Sequence, residues 1–160
     1  MEEKHTKLLK GLAYGYLARR ARTEQEVRVY LLAKAETLHI AQELIDPVIA
    51  HLKEHKYIND AHFVESYVSY RLATKPKSAY ALRQELKKRG VSTEALDENL
   101  SSQTIDEEGL AKQALSSYWR RIENLDPTAR IRRAISFLQR RGFSYSIAKE
   151  VTQTQISNNT

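Results

Sequence analysis

Few residues of this chain have the types and spacing that catalysis or metal binding requires. His51 and His55 lie four residues apart on a predicted helix and could share a metal ion, but Leu52 follows the first histidine where a zinc protease has its glutamate base. No third ligand is evident, and the five glycines lack the spacing of a phosphate-binding loop. We find no set of a nucleophile, a general base and a residue that orients the base, as covalent catalysis requires. We therefore expect a protein that is not an enzyme and that uses no metal and no cofactor.

The composition favours a folded protein with a polyanionic partner. The chain has 160 residues, 41% of them hydrophobic, a formal net charge of +6 and no cysteine. The absence of cysteine excludes disulfides and thiolate metal sites. No apolar run approaches the roughly 18 residues of a membrane span, and the first residues lack a signal-peptide pattern, so we expect a cytoplasmic protein with no membrane partner.

Basic residues are clustered on predicted helix faces. Seven arginines lie between residues 120 and 141, against Glu123 and Asp126 alone. In the predicted helix 78–89, the leucines at 82 and 86 point inward and leave the cations at 83, 87 and 88 outside. In the later helix, Ile131, Ile135 and Leu138 mark the buried side. A repeated cationic face suits an acidic protein groove or a phosphate backbone, although a solvated surface also explains any single cluster.

Helix boundaries can be read from capping residues. Thr23 and Glu26 form a predicted capping box, and Ser78, Ser92 and Ser144 can each begin a helix. Glycines 90 and 142 suit the left-handed position after a helix ends. We expect Tyr67, Tyr70, Tyr118 and Trp119 to lie mostly in the core. The residues assigned to building the fold are Thr23, Glu26, Phe63, Leu82, Leu86, Gly90, Leu138 and Gly142.

The segment at residues 86–92 returns at residues 138–144, with Gly142 following Gly90 by 52 residues. A period of this length is typical of stacked helical units. We predict an all-α chain of three tandem three-helix repeats, at residues 7–58, 59–104 and 105–152. Residues 1–6 and 153–160 are predicted to be disordered tails.

The chain resembles the RecX regulators of the RecA recombinase over roughly residues 12–151. The resemblance rests on HKYINDAHFV at residues 55–64, on Arg71, on LRQELKKRGVS at residues 82–92 and on FLQRRGFS at residues 137–144. It implies an elongated, curved, solenoid-like array that lies in the groove of the RecA filament on single-stranded DNA. It also implies inhibition of ATPase, strand exchange and co-protease activity, and so an effect on recombination, DNA repair and the SOS response.

The resemblance carries over no catalytic residues and implies weak binding to single-stranded or double-stranded DNA. We expect a monomer. At residues 74–77 the chain has Thr-Lys-Pro-Lys where relatives usually have a glycine-containing loop, so loop contacts are not transferred. The candidate contacts to RecA are the basic residues Arg71, Arg83, Lys87, Lys88, Arg89, Arg132, Arg133, Arg140 and Arg141.

Two alternatives stay open at this point. One is a DNA-binding regulator with a helix-turn-helix-like pair around Gly90 or Gly142. The other is a generic helical-repeat scaffold that binds neither RecA nor DNA.

Overall fold

The computed structural model describes residues 1–100 and 105–160, and within these ranges the regular structure is entirely helical. The all-α prediction is therefore confirmed for the described residues. The helices are α1 (Glu2–Leu17), α2 (Glu24–Thr37), α3 (Ile45–Glu54), α4 (Asp60–Thr74), α5 (Ala79–Lys88), α6 (Thr93–Leu100), α7 (Glu107–Ile122), α8 (Pro127–Arg140) and α9 (Tyr145–Asn158), and a 3₁₀ turn, Gln42–Leu44, precedes α3. The predicted end of the second repeat, at residue 104, lies outside the described residues.

The chain divides into two compact units. The first comprises Met1–Glu65 with Leu86–Asn99, and the second comprises Ser66–Glu85 with Leu100–Thr160. Fully buried leucines and valines from α1, α2 and α3 form the core of the first unit. Side chains of α7, α8 and α9 form the core of the second, with Leu115, Trp119 and Leu138 among them. Each unit therefore has its own hydrophobic core. Burying one side chain of this size stabilises the fold by about 1.5–3 kcal/mol.

The predicted caps begin the helices as expected. Thr23 Oγ1 accepts from the Glu26 N–H at 3.1 Å, and the Glu26 carboxylate accepts from the Thr23 N–H at 2.9 Å, which confirms the capping box. Side chains of Ser78, Ser92 and Ser144 accept from backbone N–H groups three residues later. These bonds satisfy donors that have no partner within the helix itself.

The repeated Arg-Gly pair ends a helix and packs it against an earlier helix start. Gly90 and Gly142 have φ of +86° and +90°, as predicted. The carbonyl of Arg89 accepts from the Thr23 hydroxyl at 2.6 Å, and the carbonyl of Arg141 accepts from the Ser78 N–H at 3.1 Å. Each Arg-Gly corner therefore contacts the cap residue of the corresponding helix one repeat earlier.

Both predicted disordered tails are helical, which corrects that expectation. Residues 2–6 belong to α1, where Glu2 and Glu3 in the first turn suit the positive end of the helix dipole. Residues 153–158 belong to α9, because Thr152 is buried and Ile156 packs against the core of the second unit.

No helix in the described ranges has both the length and the apolar character needed to cross a bilayer.

Two burial predictions are wrong. Tyr70 is 62% exposed and Ile131 is 39% exposed. The inward side of α4 is instead occupied by Val64 and Val68, which are 0% and 1% exposed, and Tyr70 lies on the exposed side of the helix. Trp119 is buried as expected, while Tyr67 and Tyr118 are half-buried.

Candidate partner-binding basic face

The candidate basic residues divide into those that the fold already uses and those that face solvent without an ion pair. The division matters because a cation held by its own carboxylate must lose that partner before it can bind another. Arg71, Arg83, Arg89 and Arg141 belong to the first group, and Lys87, Lys88, Arg132, Arg133 and Arg140 to the second.

Arg71 belongs to a charge network inside the second compact unit. Its Nε donates to the Tyr67 hydroxyl at 3.2 Å and lies 3.2 Å from Glu85 Oε2. The Tyr67 hydroxyl donates to the same carboxylate at 2.7 Å, and Lys77 pairs with its other oxygen. Burial alone would raise the pKa of Glu85, but hydrogen bonds from Lys77 and Tyr67 and the nearby cations hold that pKa below its ordinary value. Arg71 is therefore part of a structural cluster.

Arg141 is held by packing rather than by a carboxylate. Its guanidinium donates to the Pro76 carbonyl at 3.0 Å and lies 4.8 Å from the centre of the Phe137 ring. Burial lowers the pKa of Arg141. This contact also fixes the loop at residues 74–77, where the proline is buried, so Arg141 serves the fold through both its side chain and its carbonyl.

The side chains of Arg89 and Arg83 also have interaction partners within the fold. Arg89 lies 3.8 Å from Glu26 Oε1, the same carboxylate that completes the capping box of α2. For Glu26, burial would raise the pKa, but the hydrogen bonds from Arg20 and from the Thr23 backbone, together with both arginine charges, lower it. Arg83 is half-buried on α5 and has an interaction partner of its own.

The remaining five cations are exposed, and no carboxylate among the described residues pairs with them. We call these residues the open cations: Lys87, Lys88, Arg132, Arg133 and Arg140. The two lysines lie in the last turn of α5 in the first compact unit, and the three arginines lie on α8 in the second. Lysines in a last turn also suit the negative end of the helix dipole.

The arginines of α8 form one stripe. At about 100° of rotation per residue, Arg132, Arg133 and Arg140 lie within an arc of about 100°, and the stripe is about 12 Å long. Ala134 and Leu138, both fully buried, lie on the opposite side of the helix. The residues of α8 include no acidic side chain. Within α8, no acidic side chain therefore offsets the charge of this stripe.

Two exposed arginines were not among the sequence candidates. Arg120 and Arg121 end α7 without an ion pair in the described residues. The arginine-rich run at residues 120–141 was the signal for them. Arg130 in the same run is structural, since its guanidinium donates to the carbonyls of Glu123 at 2.6 Å and Leu125 at 3.0 Å.

The two histidines considered as metal ligands have other contacts. The Nε2 atom of His51 is 2.9 Å from the Tyr14 hydroxyl, and Nδ1 of His55 is 2.9 Å from the His51 carbonyl oxygen. Within residues 1–100 and 105–160, no three potential metal-ligating side chains of His, Cys, Asp or Glu come together.

The arrangement of helices can be compared with known families. Residues 59–100 match a family model described as the second three-helix domain of RecX, and residues 106–152 match its third three-helix domain. The chain belongs to the RecX family. RecX-type three-helix domains therefore cover α4 to α6 and, in the second match, α7, α8 and the first part of α9.

Individual RecX proteins agree with this assignment. The regulatory protein RecX of Streptococcus pneumoniae (strain Hungary19A-6) is 33% identical over 141 residues, which cover 88% of this chain and 52% of the relative. The chain thus spans about half the length of the curated relatives it matches.

Two solved RecX structures share the fold. The crystal structure of RecX from Lactobacillus salivarius superposes with a TM-score of 0.78 at 22% identity, over 95% of this chain and 97% of that one. A second crystal structure, of a regulatory protein RecX, gives a TM-score of 0.76 at 23% identity over 92% and 73% of the two chains.

Proposed function

We propose that this chain binds the RecA recombinase, in particular its filament on single-stranded DNA, and inhibits its ATPase, strand-exchange and co-protease activities. It acts by occupying the filament groove, without catalysis of its own, as a cytoplasmic monomer. Family membership supports RecA as the partner. The observation that supports binding is that each compact unit has open cations, which can meet an acidic surface without breaking an internal ion pair.

Each open cation is expected to contribute little to the free energy of binding, but the five together can change the affinity substantially. An exposed ion pair contributes about 0.2–1 kcal/mol, so five such pairs contribute about 1–5 kcal/mol to binding. Each 1.4 kcal/mol changes affinity about tenfold. Charges of this kind also accelerate association and make it sensitive to salt. The inhibition should therefore weaken as the salt concentration rises.

The test is the DNA-dependent ATPase of RecA, measured with the chain at substoichiometric ratios. We expect the wild-type chain to lower the rate, and Lys87→Glu/Lys88→Glu to inhibit less while keeping helicity. Lys75→Glu/Lys149→Glu is the matched control, because both lysines are exposed outside the candidate set and the charge change is the same. An unchanged ATPase rate with the wild-type chain would contradict the proposal.

DNA binding separates this proposal from a DNA-binding regulator. The open cations can also contact phosphates, so weak binding to single-stranded or double-stranded DNA is expected, with affinity that falls as salt rises. Sequence-specific binding to DNA alone, tighter than binding to the RecA filament, would instead favour the helix-turn-helix-like regulator.

A further inference from the structure

Two exposed tyrosines of the second compact unit lie at the corner formed by Gly142. Tyr80 is 67% exposed and Tyr145 is 57% exposed. Tyr80 directly precedes Ala81, whose Cβ would lie 2.7 Å from a Cβ added at Gly142, and Tyr145 begins α9 three residues after that glycine. Because consecutive Cα atoms are at most about 3.8 Å apart, the Cα atoms of the two tyrosines lie within about 20 Å of each other.

The corner itself does not require aromatic side chains. The first compact unit has an equivalent corner at Gly90, with the same positive φ. Counted from the cap residue of the earlier helix, Gln25 stands at the Gly90 corner where Tyr80 stands at the other. Counted from the glycine, Thr93 stands there where Tyr145 does. One corner therefore forms with polar side chains at both positions, so the tyrosines need another explanation than the fold.

The two corners also differ in charge. The Gly90 corner has carboxylates at Glu24, Glu26 and Glu94, whereas the corresponding residues at the Gly142 corner, 79, 81 and 146, are alanine, alanine and serine. A phosphate that approaches the Gly142 corner therefore meets no carboxylate at these three positions.

The remaining charges at the Gly142 corner leave it cationic. The Glu107 carboxylate lies there, but it is half-buried and accepts from the Ala79 N–H at 2.6 Å. Asp60 accepts from the Glu24 N–H at 2.9 Å in the same way, so a carboxylate of this kind is common to both corners. Arg140, one of the open cations, lies two residues before Gly142 and ends the arginine stripe of α8. The stripe therefore leads to the corner.

Exposed aromatic rings beside cations are the features that single-stranded nucleic acid requires. The bases of an unpaired strand stack on aromatic rings while basic side chains contact the phosphates. Side chains that anchor protein interfaces instead lie in well-packed pockets. Tyr80 and Tyr145 are each more than half exposed, which suits a base that needs only one free ring face.

We propose that the Gly142 corner binds single-stranded nucleic acid, with bases stacked on Tyr80 and Tyr145 and phosphates contacted by the arginine stripe of α8. The inference rests on the DNA binding that the proposed function includes, and it assigns the contacts with the bases to two side chains outside the candidate set. Its test contains no RecA, so that its failure leaves the inhibition of RecA standing.

Fluorescence anisotropy of a labelled oligothymidine, titrated with the full chain at low salt, measures this binding. Tyr80→Ala/Tyr145→Ala should raise the Kd about tenfold or more, a loss of about 1.4 kcal/mol, because two stacked bases lose their ring contacts. Both side chains are exposed, so the melting temperature should stay that of the wild-type chain. Tyr80→Phe/Tyr145→Phe keeps the rings and should bind like wild type. Tyr57→Ala, which removes a ring that is 54% exposed in the first unit, is the control and should also bind like wild type.

An abasic strand of the same length and charge separates base stacking from phosphate contact. The wild-type chain should bind it about tenfold more weakly than oligothymidine, whereas Tyr80→Ala/Tyr145→Ala should bind the two strands equally. Arg140→Gln should weaken binding to both strands, because it removes a contact with phosphate.

Three results would overturn the assignment of the Gly142 corner. The first is a wild-type affinity of the double alanine variant for oligothymidine, and the second is an equal loss for the abasic strand. The third is a variant that binds oligothymidine like wild type but inhibits RecA less, since the rings would then contact protein. A wild-type chain that binds oligothymidine but does not inhibit RecA would contradict the proposed function and leave the corner standing.

Discussion

Replacing Gly142 by alanine tests whether the repeated Arg-Gly corner holds the helices together. Gly142 has φ of +90°, and an added Cβ would clash with Ser78 Oγ and lie 2.7 Å from the Cβ of Ala81. Neither neighbour is the far end of a flexible chain, because Ser78 caps α5 and Ala81 lies in its first turn. The corner must therefore move away from α5, and the bond from the Ser78 N–H to the Arg141 carbonyl must lengthen.

The expected cost follows from three contributions. A left-handed conformation costs a residue with a Cβ roughly 1–2 kcal/mol. Overpacking at a tight contact costs about 1–3 kcal/mol more. Alanine recovers about 0.4–1 kcal/mol because it restricts the unfolded chain. The net loss in the free energy of unfolding is about 1–5 kcal/mol.

Urea unfolding followed by circular dichroism measures this loss. Gly11→Ala is the matched control, since it adds the same methyl group in a normal helical conformation with open space around it. We expect the control to be as stable as wild type or more stable, by up to about 1 kcal/mol. If Gly142→Ala unfolds at the same urea concentration as Gly11→Ala, the contact between the Gly142 corner and the start of α5 does not stabilise the fold.

Two further substitutions probe the same framework. Thr23→Val should lower the free energy of unfolding by about 2–4 kcal/mol, because it removes a helix cap and the hydroxyl that donates to the Arg89 carbonyl. Thr23→Ser should retain most of the stability, and equal losses from the two substitutions would contradict this role. Because the pKa of Glu85 is lowered in the folded protein, the stability that this carboxylate contributes is fully present above the ordinary carboxyl pKa of about 4.3 and is lost as pH falls through the lower folded value. Urea midpoints from about pH 7 to about pH 3 should fall less steeply for Glu85→Gln, and parallel curves would show that the network of Arg71 and Lys77 does not stabilise the carboxylate.

The fold was predictable from the sequence where local chemistry decides it. Thr23 with Glu26, the serines at 78 and 144 and the two corner glycines act within a few residues of themselves, so their patterns are visible in the chain. Tyr70 was misplaced because an aromatic side chain at helical spacing carries no information on how far its helix is rotated. The ends of the chain were misplaced because the burial of Thr152 and Ile156 depends on α9 packing against the second core.

The candidate face was predictable only in part. Sequence pattern identified cations that point away from the leucines, and Lys87, Lys88 and Arg140 are exposed. It could not identify those that long-range contacts occupy, since Pro76 and Arg141 are 65 residues apart in the chain. The contact of Arg89 with the carboxylate of Glu26 likewise joins residues that are far apart in the sequence.

The most direct test of the central claim replaces all five open cations by glutamine and measures inhibition of the RecA ATPase. Because none has an ion pair in the described residues, the variant should keep the helicity of the wild-type chain. We predict a rise of about tenfold or more in the half-inhibitory concentration, together with a weaker dependence on salt. A half-inhibitory concentration and a salt dependence equal to those of the wild-type chain would show that the open cations do not carry the recognition.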